Sequence, residues 1–124
     1  VLKSVENELI QKIIKKIPAF KMGDPLNPET RLGPLARADL RESLHIQVEK
    51  SLKQGAKLLL GGIIPPGPGF YYPPTLLTHV KPGMSAFDEE LFGPVIAIIT
   101  ANNEQEAITF ANQNPYGLGG AVFT

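Results

Sequence analysis

The strongest constraint on the fold is a short stretch in which a polar turn leads directly into an apolar segment. The acidic run 88–90 is followed by Phe92, by the pair Gly93 and Pro94, and then by the apolar segment 95–100. Gly and Pro are typical of a tight turn, and a run of β-branched residues favours a buried strand. In α/β proteins ligands bind at the ends of strands, so an acid and an aromatic two residues apart could face one ligand. A structural interpretation is also open, in which the acids form a solvated turn and Phe92 is a core residue.

The size and composition of the chain predict one domain. A chain of 124 residues can bury about two-thirds of its unfolded surface, which is enough for one core. The hydrophobic fraction of 43% and the charged fraction of 19% are ordinary for a globular protein, and the longest apolar runs are too short to span a membrane. We therefore expect a single domain and no membrane partner.

Charge and cysteine content exclude several classes of function. Lys and Arg together number 12, as do Asp and Glu, so no positive field favours a nucleic acid as partner. The chain has no cysteine, which excludes disulfides, thiolate metal sites and a cysteine nucleophile within these residues. His45 and His79 are isolated from other ligand-type residues in the sequence, so we expect no metal site.

Three segments carry helical patterns. Ser4 is a candidate cap for a first helix that extends to about residue 17. The second helix is predicted to have Pro34 in its first turn and to end at Gly55, with apolar residues repeating every four positions between them. Residues 103–112 begin with a capping-box pattern, in which Asn is followed three positions later by Glu, and predict the third helix.

Strands are predicted between these helices. Short apolar segments at 57–60, 75–80 and 95–100 have strand character, and a last strand is predicted at 121–124. The strands on either side of the third helix are expected to be parallel, with a right-handed crossover. Residues 61–74 contain four Gly and five Pro and predict an irregular loop. The expected fold is therefore α/β, with a mixed, largely parallel sheet flanked by helices.

The stretch that opens this section also carries a family motif. Residues 89–95, Glu-Glu-Leu-Phe-Gly-Pro-Val, resemble the E-E-x-F-G-P-V signature of the aldehyde dehydrogenase superfamily, whose members oxidise aldehydes to acids with NAD or NADP. Other matching segments follow in the family's order: 22–26, 32–35, 54–62, 73–77 and 116–124. The run 33–41 is most similar to bacterial succinate-semialdehyde dehydrogenases.

The resemblance implies that residues 1–124 are one partial domain, a segment of a catalytic domain. By the order of the family's motifs, its catalytic cysteine, general-base glutamate, oxyanion-hole asparagine and dinucleotide-binding domain would all precede Val1. In keeping with this expectation, the chain does not begin with Met, and residues 121–124 end inside a predicted strand. We therefore assign no catalytic residue to this chain and expect it to be inactive by itself.

The resemblance assigns cofactor binding to two residues. Glu90 would accept hydrogen bonds from the hydroxyls of the nicotinamide ribose, and Phe92 would lie against the nicotinamide. An ionised carboxylate only accepts hydrogen bonds and can take both vicinal hydroxyls, which fixes the direction of hydride transfer. No role is carried over to Asp88 or Glu89, which are expected to be exposed or to form the turn.

The function implied is that of a parent enzyme, an NAD- or NADP-dependent aldehyde dehydrogenase. Its expected substrate is a small aldehyde, succinate semialdehyde, and the parent is expected to be a cytoplasmic homo-oligomer that binds neither nucleic acid nor membrane. The alternative is a non-catalytic α/β module for interaction or subunit contact. A cysteine within a dehydrogenase nucleophile motif upstream in the reading frame would favour the enzyme.

Overall fold

Four α-helices and three strands follow one another along the chain, and the computed structural model describes all residues 1–124. In order they are α1 (Glu6–Lys16), α2 (Ala38–Lys53), β1 (Lys57–Leu60), β2 (Thr75–Val80), α3 (Ser85–Asp88), β3 (Val95–Ile99) and α4 (Glu104–Asn112). A short 3-10 helix, Ile17–Ala19, follows α1 and contains Pro18. No helix is both long enough and apolar enough to cross a membrane.

The three strands form one mixed sheet in the order β1-β2-β3. β1 runs antiparallel to β2, and β2 runs parallel to β3 with Thr75 opposite Val95. The register of the parallel pair shifts between Leu77 and Val80, where His79 has a φ of 57°. The predicted mixed α/β fold is confirmed, with one of the two strand pairings parallel.

Both faces of β2 are covered by helices. Successive side chains of a strand point to opposite faces, and the neighbours Leu76 and Leu77 are both fully buried. Leu76 packs in a cluster with Ile10 of α1, whereas Leu77 packs in a larger cluster with Leu44 of α2. The core therefore has two parts, one on each side of the sheet.

The first residues of the chain extend the sheet beside β3. The N-terminal amine of Val1 donates to the Ile99 carbonyl at 2.8 Å, and the Ala101 amide donates to the Val1 carbonyl at 2.8 Å. Leu2 and Ala101 form a parallel bridge. The sequence patterns did not predict this pairing, because it joins segments about a hundred residues apart.

The predicted starts of the first two helices are wrong. Val5, not Ser4, precedes α1, and no side chain caps the helix, because the bridge to Ala101 holds the residues before it against the sheet. Pro34 lies outside α2, which begins at Ala38. The Leu35 amide donates to the Phe70 carbonyl at 2.9 Å, and this contact ties the segment after Pro34 to the loop 61–74.

The helix ends are better predicted than the starts. Gly55 follows the last residues of α2 with a φ of +111°, a conformation that glycine adopts without strain. At α4 the Asn103 side chain accepts a hydrogen bond from the Glu106 amide at 2.9 Å, which confirms the predicted cap. Both signals depend on residues close together in sequence.

The predicted last strand is absent. Residues 121–124 form no strand and no backbone hydrogen bond, and the Val122 and Phe123 side chains are 88% and 95% exposed. A strand needs a neighbouring backbone to satisfy its amides and carbonyls, and residues 1–3 occupy the end of the β3 edge. The β-helix-β unit predicted around α4 is therefore not formed; the parallel pair is instead β2 and β3, joined by the crossover 81–94.

Candidate functional site

The crossover 81–94 carries the motif residues across the face of the sheet that α2 covers. It contains α3, whose Ala86 packs in the same cluster as Leu44 and Leu77. It ends in a tight turn, in which the Gly93 amide donates to the Leu91 carbonyl at 2.9 Å. The predicted turn before β3 is confirmed, while α3 was not predicted, since four residues are too few for a periodic pattern.

An open, mostly apolar cleft of about 520 Å³ lies beside this crossover. It is lined by residues of the crossover, of the end of β3 and of α4, including Phe87, Leu91, Ile99 and Phe110. Glu89 and Glu90 are the acidic residues of its lining. An apolar cleft with few polar groups is the usual setting for a small-molecule site.

Glu90 is partly buried in the wall of this cleft. Its backbone carbonyl accepts a hydrogen bond from the Gln47 side chain at 3.2 Å. Its carboxylate has no hydrogen-bond or ion-pair partner within the chain. The carboxylate is therefore free to accept hydrogen bonds from a ligand.

Phe92 is 67% exposed, so the interpretation of this residue as part of the core is wrong for this chain. Phe92 is not one of the residues that line the cleft. Glu90 and Phe92 thus share one turn, but only Glu90 lines the cleft.

Glu89 has a structural role that the sequence did not reveal. Its carboxylate accepts a hydrogen bond from Lys50 at 2.8 Å and from Gln47 at 3.1 Å. The Lys50 ammonium, followed by the Gln47 amide, lowers the pKa of Glu89 from 4.5 to about 2. Asp88 forms the turn as expected, since its side chain accepts from the Gly83 amide at 3.1 Å.

Each of the two histidines lies within hydrogen-bonding distance of a hydroxyl group, and neither belongs to a cluster of metal-ligating side chains. Nδ1 of His45 lies 3.2 Å from the Tyr72 hydroxyl, and Nδ1 of His79 lies 3.2 Å from the Thr78 hydroxyl. Burial, followed by the charge of Glu49, raises the pKa of Tyr72 to about 12. Residues 1–124 contain no group of three or more His, Cys, Asp or Glu side chains that could hold a metal ion.

Sequence comparison identifies the family to which this mixed α/β fold and the motif at residues 89–95 belong. The sequence model of the aldehyde dehydrogenase family matches residues 1–124, so the chain belongs to this family. Among curated relatives, it is 49% identical over 120 residues to succinate semialdehyde dehydrogenase [NAD(P)+] Sad of Escherichia coli, covering 97% of this chain and 26% of that protein. It is 42% identical over 124 residues to succinate-semialdehyde dehydrogenase [NADP(+)] of Deinococcus radiodurans, covering 100% and 26%. The chain spans about a quarter of the length of these relatives.

Solved structures agree with this family and with the fold. A structure described as giving insights into cofactor and substrate selection by Gox0499 superposes with a TM-score of 0.95 at 37% identity, covering all of this chain and 27% of that one. Betaine aldehyde dehydrogenase from Staphylococcus aureus in complex with NAD+ superposes with a TM-score of 0.92 at 31% identity, covering 99% and 26%. The predicted resemblance to the family and the predicted α/β fold are confirmed.

Proposed function

We propose that residues 1–124 position the nicotinamide ribose in an NAD- or NADP-dependent aldehyde dehydrogenase. The observation that carries the proposal is that Glu90 lines an apolar cleft and that its carboxylate has no partner in the chain. The relatives are named as succinate-semialdehyde dehydrogenases that use NAD(P)+ or NADP+. On this basis succinate semialdehyde is the proposed substrate, and its carboxylic acid is the proposed product.

The chemistry of Glu90 fits a ribose. An ionised carboxylate accepts hydrogen bonds and donates none, so it matches a pair of vicinal hydroxyls, which can both donate. Hydrogen bonds to a charged acceptor are stronger than those between neutral groups. A ribose held in this way fixes the nicotinamide ring, which accepts the hydride.

In this proposal Phe92 provides a contact surface for the cofactor. Its exposed ring offers an apolar surface for the nicotinamide end of the cofactor, where it excludes water. In this proposal the nucleophile comes from outside residues 1–124, because these residues include no cysteine, and the general base lies outside them by the order of the family's motifs. We propose further that the segment is part of a catalytic domain and that the parent enzyme is a cytoplasmic homo-oligomer.

The test is the substitution Glu90→Gln in the full-length enzyme. Glutamine keeps the volume but loses the charge and one acceptor. Loss of one charge-assisted hydrogen bond of roughly 1.5 to 3 kcal/mol predicts an about tenfold to hundredfold slower hydride transfer. Single-turnover formation of NADH or NADPH from succinate semialdehyde measures this step, and a thermal melt measures folding.

Glu104→Gln is the matched control, because Glu104 is exposed at the start of α4 and makes no side-chain hydrogen bond or ion pair. We expect it to leave the hydride step unchanged. A Glu90→Gln enzyme with kinetics like this control would refute the proposed role and favour a non-catalytic module for subunit contact.

A further inference from the structure

A polar face of α2 holds the crossover that carries Glu90. We call it the α2 polar face, and it consists of Gln47, Lys50 and Ser51 of α2 and of Gln54, which follows the helix directly. Residues three, four and seven positions apart lie on one side of a helix. Each of the four side chains contacts a residue between 83 and 90.

The far end of the α2 polar face binds the start of α3. The fully buried Ser51 hydroxyl accepts from the Ala86 amide at 2.8 Å. The Gln54 side chain accepts from the Ser85 amide at 2.8 Å and donates to the Gly83 carbonyl at 3.1 Å. Because the first amides of a helix have no partner within it, these contacts stabilise α3 against α2.

The near end of the α2 polar face binds the two glutamates of the motif. The amide nitrogen of Gln47 lies 3.1 Å from the Glu89 carboxylate and 3.2 Å from the Glu90 carbonyl oxygen, and it donates to both. Lys50 binds the other oxygen of the Glu89 carboxylate at 2.8 Å. The Glu89 amide also donates to the Ser85 carbonyl at 3.0 Å.

These contacts restrain the backbone on both sides of the Glu90 α-carbon, while its carboxylate has no partner. The residue before it is held through its amide and side chain, and its own carbonyl is held by Gln47. Because the residue before Glu90 and the peptide group after its α-carbon are both restrained, the Cα–Cβ bond of Glu90 can take few directions. A small rotation here would move the carboxylate away from its ligand, and catalysis is sensitive to such misplacement.

We propose that Gln47 and Lys50 are positioning residues that aim the Glu90 carboxylate at the nicotinamide ribose. This proposal rests on the function proposed above for Glu90. Neither residue belongs to the E-E-x-F-G-P-V motif. Gln47 acts through Glu89 and the Glu90 backbone, and Lys50 acts through Glu89. The ion pair is partly exposed, with side-chain exposures of 55% for Lys50 and 37% for Glu89, so orientation is its main contribution.

The first experiment replaces Gln47 by Met in the full-length enzyme, which keeps the length of the side chain and removes both hydrogen bonds. We expect the KM for the nicotinamide cofactor to rise, or the single-turnover hydride step to slow, by about tenfold, as loss of hydrogen bonds of this kind allows. Gln11→Met is the control, because Gln11 is exposed on α1 and its side chain has no partner. Kinetics of Gln47→Met equal to those of this control would overturn the proposal.

The second experiment tests the contribution of the positive charge of Lys50. Lys50→Met is expected to weaken cofactor binding and Lys50→Arg to restore it, since arginine keeps the charge and can bind a carboxylate. Lys53→Met is the control on the same helix, where the contact to Glu49 is long, at 3.8 Å. Failure of Lys50→Arg to restore the cofactor KM would remove Lys50 from the proposal.

A double-mutant cycle separates positioning from stability. If Gln47 acts through Glu90, Gln47→Met should have little further effect on the hydride step in a Glu90→Gln enzyme. Fully additive effects would overturn the positioning role while leaving the role of Glu90 intact. Unchanged kinetics of Glu90→Gln alone would instead refute the proposed function, so the two failures are distinguishable.

Discussion

The backbone of Gly93 lies against the side chain of Leu44, and a Cβ atom at position 93 would overlap the Leu44 Cδ2. Leu44 is 1% exposed in the middle of α2, so it has little space into which it could move. The glycine of the motif therefore allows the turn before β3 to approach α2 closely. Gly93 therefore has a packing role, although its neighbour Phe92 is proposed to contact the cofactor.

Replacing Gly93 by Ala should destabilise the protein through this overlap. Overpacking of a buried site costs about 1 to 3 kcal/mol, so we expect a lower midpoint in thermal or urea unfolding. Gly117→Ala is the control, since a Cβ atom at Gly117 meets nothing within 4 Å. Equal stability of the two variants would contradict the close packing.

Replacing Phe92 by Ala should affect the cofactor more than folding. The ring is 67% exposed, so its removal leaves no cavity in this segment, and we expect a higher KM for the cofactor or a slower hydride step. A comparison variant is Leu77→Ala, in the fully buried core, which should cost about 2 to 5 kcal/mol. A loss of about 3 to 5 kcal/mol for Phe92→Ala would mean that the ring is a core residue of the whole enzyme.

Glu89 should make stability depend on acidic pH. Its pKa is about 2 in the folded protein and 4.5 ordinarily, so between these values the unfolded chain binds more protons and stability falls as pH falls. The contribution is present above about pH 4.5 and is lost as pH decreases to about 2. Because the pair with Lys50 is partly exposed, we expect only ~0.2 to 1 kcal/mol.

The check is urea unfolding at several pH values between 5 and about 2, with Glu89→Gln as the variant. The variant should lose part of the pH dependence seen in the native protein. Identical pH profiles would show that Glu89 is not paired in solution. Glu104→Gln, at an exposed and unpaired position, is again the control.

The isolated chain of 124 residues should not oxidise aldehydes. The family's nucleophile is a thiolate, and the chain has no cysteine from which one could form. We expect no formation of NADH or NADPH from succinate semialdehyde above that of a preparation containing only the purification tag. Activity above this background, with the full-length enzyme as positive control, would contradict the prediction.

The local elements could be predicted because their signals lie within a few residues. The strands at 57–60 and 75–80 match the structure, since short apolar runs between Gly and Pro residues define them. Gly55 and Asn103 mark a helix end and a helix start by their own chemistry. The motif around Glu90 could also be recognised in the sequence, and it correctly indicated the family.

The failed predictions involve long-range contacts. Ser4 and Pro34 have the residue types that begin helices, yet the backbone near each is bonded to a distant segment. The strand predicted at 121–124 depended on a partner backbone, which local sequence cannot supply. The intrinsic propensity of a residue for a helix predicts the structure only weakly where such tertiary contacts compete with it.

By itself the sequence determined the α/β pattern, the turn before β3 and the family, and it indicated Glu90 and Phe92 as candidate cofactor-binding residues. Only the tertiary structure decided that Glu90 lines a cleft, that Phe92 is exposed and that Glu89 is paired. The contacts of Gln47 with the two glutamates span 42 and 43 residues. Such contacts exist only when two segments are packed together, because each side chain alone could equally well hydrogen-bond to water.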